Sequence, residues 1–134
     1  MSDLTLSTDD GTVTIPLAML SDPTVRAALA AAFRTADRAA SLAEIWAMVD
    51  AMVDGEYPGL NVDSCEIEWC SEYDDEGGYY WALAYASLLD ADGTPIDNDE
   101  VLESFRDGLY EVNMDRESMP DGTYNRLTGL VATR

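Results

Sequence analysis

Polar and apolar residues alternate most regularly between Asp63 and Asp92. Cys65, Ile67 and Trp69 fall on one side of that alternation. Glu66, Glu68 and Glu72 fall on the other, because successive side chains of a strand point to opposite faces. Tyr79 to Leu89 is almost wholly apolar, and Asp74-Asp75-Glu76-Gly77-Gly78 stands between the two runs. The pattern predicts a β-hairpin over residues 65–89. Its second strand carries Tyr79, Trp81, Leu83 and Tyr85 on one side and, after Tyr80, Ala82, Ala84 and Ala86 on the other. A strand apolar on both faces is expected at the centre of a sheet, covered from both sides.

The flanking segments read as shorter elements. Leu4-Thr5-Leu6 and Val13-Thr14-Ile15 alternate about an Asp10-Gly11 turn, which predicts an N-terminal hairpin. Asp22 and Pro23 suit the N-cap and first position of a helix reaching about Asp37, with Val25, Leu29, Ala32 and Phe33 as its apolar stripe. Ser41-Leu42-Ala43-Glu44 has the form of a capping box, so a second helix is expected from there to about Val53. A third is expected with Asp97 as N-cap and Glu100 as its box partner. Val101, Leu102, Phe105, Leu109 and Val112 face inward on it, and Glu100, Glu103, Asp107 and Glu111 face outward. Gly108 costs this helix about 1 kcal/mol relative to Ala, and a stop there takes Glu111 off the row. A turn at Met119–Gly122 and a last strand within Leu127–Thr133 complete the chain. The expected fold is α+β in a single domain, 1–134: a small antiparallel sheet centred on the 65–89 hairpin, packed with about three helices. Trp46, Trp69 and Trp81 are expected in its core by their periodic positions.

Composition supports a folded chain, since 47% of residues are apolar. Cys65 and Cys70 sit five apart on one expected strand, so they point to opposite faces and do not pair. No secretory leader and no run of membrane-spanning length is read from the sequence, and a cytoplasmic protein is expected.

The residue inventory removes much chemistry. There is no His, so no Ser-His or Cys-His pair and no His-ligated metal. There is no Lys, so no Schiff base and no phosphate-loop lysine, and no glycine-rich phosphate loop occurs. The run from Asp90 through Asp92, Gly93 and Asp99 suggests calcium, but Gly93 at loop position six puts Leu88 where the first acid is required. Carboxylate-only catalysis remains conceivable, yet no spacing singles out a pair. The expectation is a non-enzymatic protein with no cofactor and no bound metal.

Charge changes the picture most. The chain carries 27 acids against seven Arg, a net −20. Residues 1–49 hold six acids and three Arg, whereas residues 50–117 hold 20 acids and two Arg, net −18. Glu66 and Glu68, about 6.6 Å apart along a strand, repel by about 0.6 kcal/mol in water. Asp99/Glu103, Glu103/Asp107 and Asp107/Glu111 are like-charge pairs at i,i+4, where ordinary helices place opposite charges. Folding gains nothing from these rows, so a basic partner is expected. Direct binding to nucleic acid or an anionic membrane is not. The expected contact residues are Glu66, Glu68, Glu72, Asp74, Asp75 and Glu76 on the hairpin, and Asp99, Glu100, Glu103, Asp107 and Glu111 on the helix. Tyr73, Tyr79 and Tyr80 offer aromatic anchors at the rim.

In size, charge and acid clustering, though in no alignable motif, the chain resembles the acidic DNA-mimic inhibitors of phages and mobile elements, the anti-CRISPR and anti-restriction class. The resemblance implies a non-catalytic inhibitor in the cytoplasm of a bacterial host. Such an inhibitor imitates phosphate charge and blocks the DNA- or RNA-binding cleft of a CRISPR effector or restriction enzyme. Two alternatives stay open: an immunity protein or antitoxin against a basic nuclease toxin, and a salt-adapted protein whose acids only hold water.

Overall fold

The computed structural model describes the backbone of residues 3–133 and all their side chains except those of Thr8 and residues 130–133. The fold is α+β, with two antiparallel sheets and three helices among the described residues. The chain divides into two compact units, one up to Ala36 and one from Asp37 onward.

The first unit begins with the expected hairpin. Strands β1 (Asp3–Thr8) and β2 (Gly11–Pro16) pair with Leu4 opposite Ile15 and Leu6 opposite Val13, which puts all four apolar residues on one face. A single helical turn, α1 (Leu17–Leu20), follows. Helix α2 (Pro23–Glu56) then starts as read: the Asp22 carboxylate accepts from the Thr24 amide at 2.9 Å.

Helix α2 does not stop near Asp37. It runs unbroken for 34 residues where two helices were expected. Asp37-Arg38-Ala39-Ala40 contains no Gly or Pro, and nothing in it opposes helix propagation. The supposed capping box serves another purpose. The Ser41 hydroxyl donates to the Asn113 carbonyl at 2.9 Å, and the Glu44 carboxylate accepts from the Asn113 amide at 3.2 Å. Both residues fasten the loop after the third helix to the flank of α2.

The second unit is built on a four-stranded sheet in the order β4-β3-β5-β6: β3 (Ser64–Asp74), β4 (Gly78–Leu89), β5 (Gly122–Asn125) and β6 (Gly129–Thr133). β4 is therefore an edge strand, not the central one expected from its composition. Helix α3 (Asp99–Leu109) packs on β4. Cys65 pairs across with Leu88 on one side and Tyr124 on the other, forming a buried row that faces the helices. Ile45, Trp46 and Val49 of α2 and Val101, Phe105 and Leu109 of α3 close over it.

The third helix is capped one residue later than expected. Asn98, with extended backbone, accepts from the amides of Glu100 and Val101 at 3.1 and 3.2 Å. Taking over the cap, Asn98 removes Asp97 from that role and dissolves the Asp97/Glu100 box. The helix ends at Leu109, so Glu111 lies outside it. Gly108 has a packing reason: a Cβ there would come within 2.8 Å of the Met48 sulfur.

The cap gives a direct check. Asn98→Ala is expected to lower stability by about 1 kcal/mol and Asp97→Ala to change it little, both measured by urea unfolding followed through tryptophan fluorescence. Equal losses would return Asp97 to the cap.

Candidate functional site

The β3–β4 hairpin carries six of the eleven expected contact residues, and a single irregularity shapes it. Glu68 pairs with Tyr85 but Trp69 pairs with Leu83, so Ala84 is an extra residue on β4. The bulge reverses the phase of β4. Below it, Ala86 and Leu88 face the core with Ile67 and Cys65; above it, Leu83, Trp81 and Tyr79 share that face with Trp69, Ser71 and Tyr73. Tyr85 moves to the face of Glu68, Cys70, Glu72 and Asp74, so it does not join the Tyr79/Trp81/Leu83 row. Where β5 stops at Gly122, the Asp121 carboxylate takes the next β3 donor, the Trp69 amide, at 2.9 Å. The Trp69 indole N–H donates to the Met119 carbonyl at 2.8 Å.

The outer half of the hairpin leaves the core behind. Tyr73 is 62% exposed, Tyr79 78% and Trp81 51%. The rings of Tyr73 and Tyr79 lie 5.1 Å apart and tilted. Trp81 is thus a surface residue, Trp69 is half-buried, and only Trp46 of the three holds the buried position expected for all. Trp81 is exposed because it lies on the outer half of the hairpin, beyond the buried cluster that covers Cys65, Ile67, Ala86 and Leu88. The apolar pattern of the strand runs on past the point where the core ends, so the sequence carried no clear signal of this.

The hairpin acids form one row. Glu66, Glu68, Glu72 and Asp74 share a face of β3, spanning about 26 Å at 3.3 Å per residue. Glu66 and Glu68 are half-buried; Glu72, Asp74, Asp75 and Glu76 are exposed. Some of these acids have local work. Glu72 accepts from the Tyr80 hydroxyl at 2.9 Å, and Asp74 accepts from the Glu76 amide at 2.9 Å in the turn closed by Gly78, whose φ of 78° favours glycine. The hydrogen bond to Glu72, and then its charge, raise the Tyr80 hydroxyl above its ordinary pKa. Cys70 is raised too, by partial burial first and then by Glu72, whose carboxylate lies 3.8 Å from the sulfur. Burial pushes Cys65 up to about 12.

The helix acids form a second row that does not join the first. Val101, Phe105 and Leu109 turn α3 toward the Cys65/Ile67 face of the sheet, so Glu103 and Asp107 project from the opposite side of the helix. The β3 acids project from the other face of the sheet. The second unit therefore carries acids on both of its faces. Asp99 and Glu100 occupy the first turn of α3, where the helix dipole favours negative charge by about 0.3–1 kcal/mol each. For those two residues, folding does gain from the acid. Asp99, Glu103 and Asp107 line an open groove of about 430 Å³ together with the exposed Tyr110. Glu111 sits past the helix end, with its amide bonded to the Gly108 carbonyl.

Each described arginine of this unit binds an aromatic ring or a backbone carbonyl, and Arg106 also lines the groove with Asp99, Glu103 and Asp107. Arg106 donates to the Ala86 carbonyl at 3.0 Å and lies over the Tyr85 ring. Arg116 stacks on Trp81 at 3.9 Å. Arg38 donates to the Ser118 carbonyl at 2.7 Å. Arg126 covers Trp46 and pairs with Asp50 at 2.9 Å. Among the described residues, no group of three or more His, Cys, Asp or Glu is arranged to hold a metal ion. The Asp90 carboxylate is taken by the Asp92 and Thr94 amides, in a turn. No described helix is long and apolar enough to cross a membrane.

Comparison with protein-family models, with curated proteins and with solved structures gave no match.

The thiols test this geometry. In the native protein Cys70 is expected to react with a thiol reagent while Cys65 stays protected until unfolding. Glu72→Gln is expected to speed alkylation of Cys70 at pH 8, since removing a nearby negative charge lowers the thiol pKa and raises the thiolate fraction. An unchanged rate in Glu72→Gln would separate the two side chains.

Proposed function

We propose that this protein is a non-catalytic inhibitor that occupies the nucleic-acid-binding cleft of a basic protein by presenting carboxylates in place of phosphates. The observation that carries this reading is the placement of charge: acid rows on both faces of one α+β unit, with its described arginines engaged by aromatic rings and backbone carbonyls. A cleft that grips a nucleic acid has two walls, and acids on opposite faces offer charge to each. Association of such surfaces is driven by charge neutralisation and is steered at long range. The exposed Tyr73, Tyr79 and Trp81 supply aromatic area of the kind that dominates interface energetics.

The partner class is a defence protein that handles DNA or RNA, such as a CRISPR effector or a restriction enzyme. The place of action is the cytoplasm of a bacterial host. An antitoxin acting on a basic toxin would use the same electrostatics, but its binding would be indifferent to added DNA.

The test is capture of nucleic-acid-binding proteins from a host lysate, repeated with competing duplex DNA and at two salt concentrations. Capture is expected to fall with salt and with added DNA. Neutralising Glu72, Asp74, Asp75 and Glu76 on the hairpin, or Glu103 and Asp107 on the helix, is expected to weaken it at least about tenfold in each case. If capture persists in excess DNA, the phosphate-mimic reading is wrong. If neutralising one row has no effect, the two-walled arrangement is wrong.

A further inference from the structure

The first unit poses a different question from the acid rows. Among its described side chains, in residues 3–36, none is buried. Leu4, Leu6 and Val13 share a hairpin face and are between 39% and 47% exposed, while Phe33 is 61% exposed on α2. An isolated two-stranded hairpin is marginal in water, and an uncovered apolar face on ordered structure calls for a cover. The strands add to this. Among the described residues β1 and β2 form a two-stranded sheet of their own, and the paired segments Leu4–Ser7 and Thr12–Ile15 hold no charged residue. The usual protections of a strand edge, a lysine or an inward charge, are missing from them.

Charge decides what covers this face. Residues 1–36 hold four acids and two Arg, net −2, while residues 37–134 hold 23 acids and five Arg, net −18. A basic partner is drawn to the second set and has little to attract it to the first. In two copies of this chain, residues 37–117, with 22 acids and three Arg and a net −19, repel strongly, whereas residues 1–36 repel little. The helix stripe of this segment is also self-complementary. Val25, Leu29 and Phe33 are spaced by four, and in an antiparallel crossing centred on Leu29, Val25 of one copy meets Phe33 of the other. Ridges spaced by four on both helices interlock at about −50°. Ala28 and Ala32 beside the stripe allow close approach. The contact is the same patch on both chains, as two-fold pairing requires.

We propose that residues 3–36 form a homodimer contact, with a second copy of this chain covering the β1–β2 face and the Val25/Leu29/Phe33 stripe. This contact is separate from the acid rows and responds oppositely to salt. Salt screens the repulsion between two −20 chains and tightens the dimer, whereas it loosens any complex with a basic partner.

The experiment is sedimentation equilibrium of the full chain up to about 100 μM, at low and high salt, for the wild type and the double variant Leu6→Asp/Phe33→Asp. All three Trp lie in residues 37–134, so their fluorescence reports folding of the second unit independently of the variant. A second arm uses oxidative cross-linking in a Cys70→Ser background, comparing Leu29→Cys with Ala30→Cys, which lies off the stripe. The expected results are a wild-type dimer that tightens with salt, association at least about tenfold weaker in the double variant with fluorescence unchanged, and a cross-link at position 29 but not 30. A wild type that is monomeric throughout, a dimer that survives both substitutions, or a dimer that loosens with salt would each overturn the proposal.

Discussion

Mutual repulsion among carboxylates is the constraint this structure has to overcome. Residues 37–134 carry 23 acids against five Arg, and their core is a modest set of aliphatic and aromatic side chains from α2, α3 and the inner face of one sheet. The balance is held by burial, which does not depend on charge, and by using many acids locally. Asp121 continues the β5 ladder to Trp69, Asp90 and Asp74 close turns, Asp115 accepts from Ser118, and Asp99 and Glu100 sit at a helix N-terminus. The hydrogen bonds from Ser118 hold the Asp115 carboxyl below its ordinary pKa, so this contribution is present near neutral pH and fades as pH falls through its lowered pKa. The raw charge therefore overstates how many acids are free of structural work.

The acids left over are concentrated where the fold has least use for them: at the hairpin end and along the outer side of α3. The four described arginines of this unit lie on Trp81, Tyr85 and Trp46 or donate to backbone carbonyls, and Arg126 also pairs with Asp50. A cation on an aromatic face is stabilised without a carboxylate, so the positive charges are used while the negative rows remain. This division of labour links the electrostatics of the fold to the proposed partner.

Much of the architecture was legible in the sequence. The 65–89 hairpin, the N-terminal hairpin, the start of α2 at Asp22-Pro23 and the inward face of α3 all follow from periodicity and turn residues, and all are present. What was missed has physical causes. Ser41 and Glu44 look like a cap because sequence spacing cannot show that Asn113 will claim both groups. Asp97 and Asn98 are both good caps, and the backbone at Asn98 chose between them. The bulge at Ala84 left no trace, because a one-residue slip through an Ala-rich run preserves an acceptable pattern on both faces. The strand acids share one face as read, while the helix row loses Glu111 past the end of α3. Their placement on opposite faces depends on which side of the sheet α3 covers, and that is set by tertiary packing.

The claim that the acid rows are a load the core carries, and not a device that holds the fold together, is tested most directly by equilibrium urea unfolding at about 10 mM and about 1 M salt, where the screening length falls from about 30 Å to about 3 Å. The expected result is a cooperatively folded protein at both, with stability rising as salt screens the acids. A chain that is unfolded at 10 mM and folds only at high salt would contradict it, and would mark the acidity as adaptation to a saline interior.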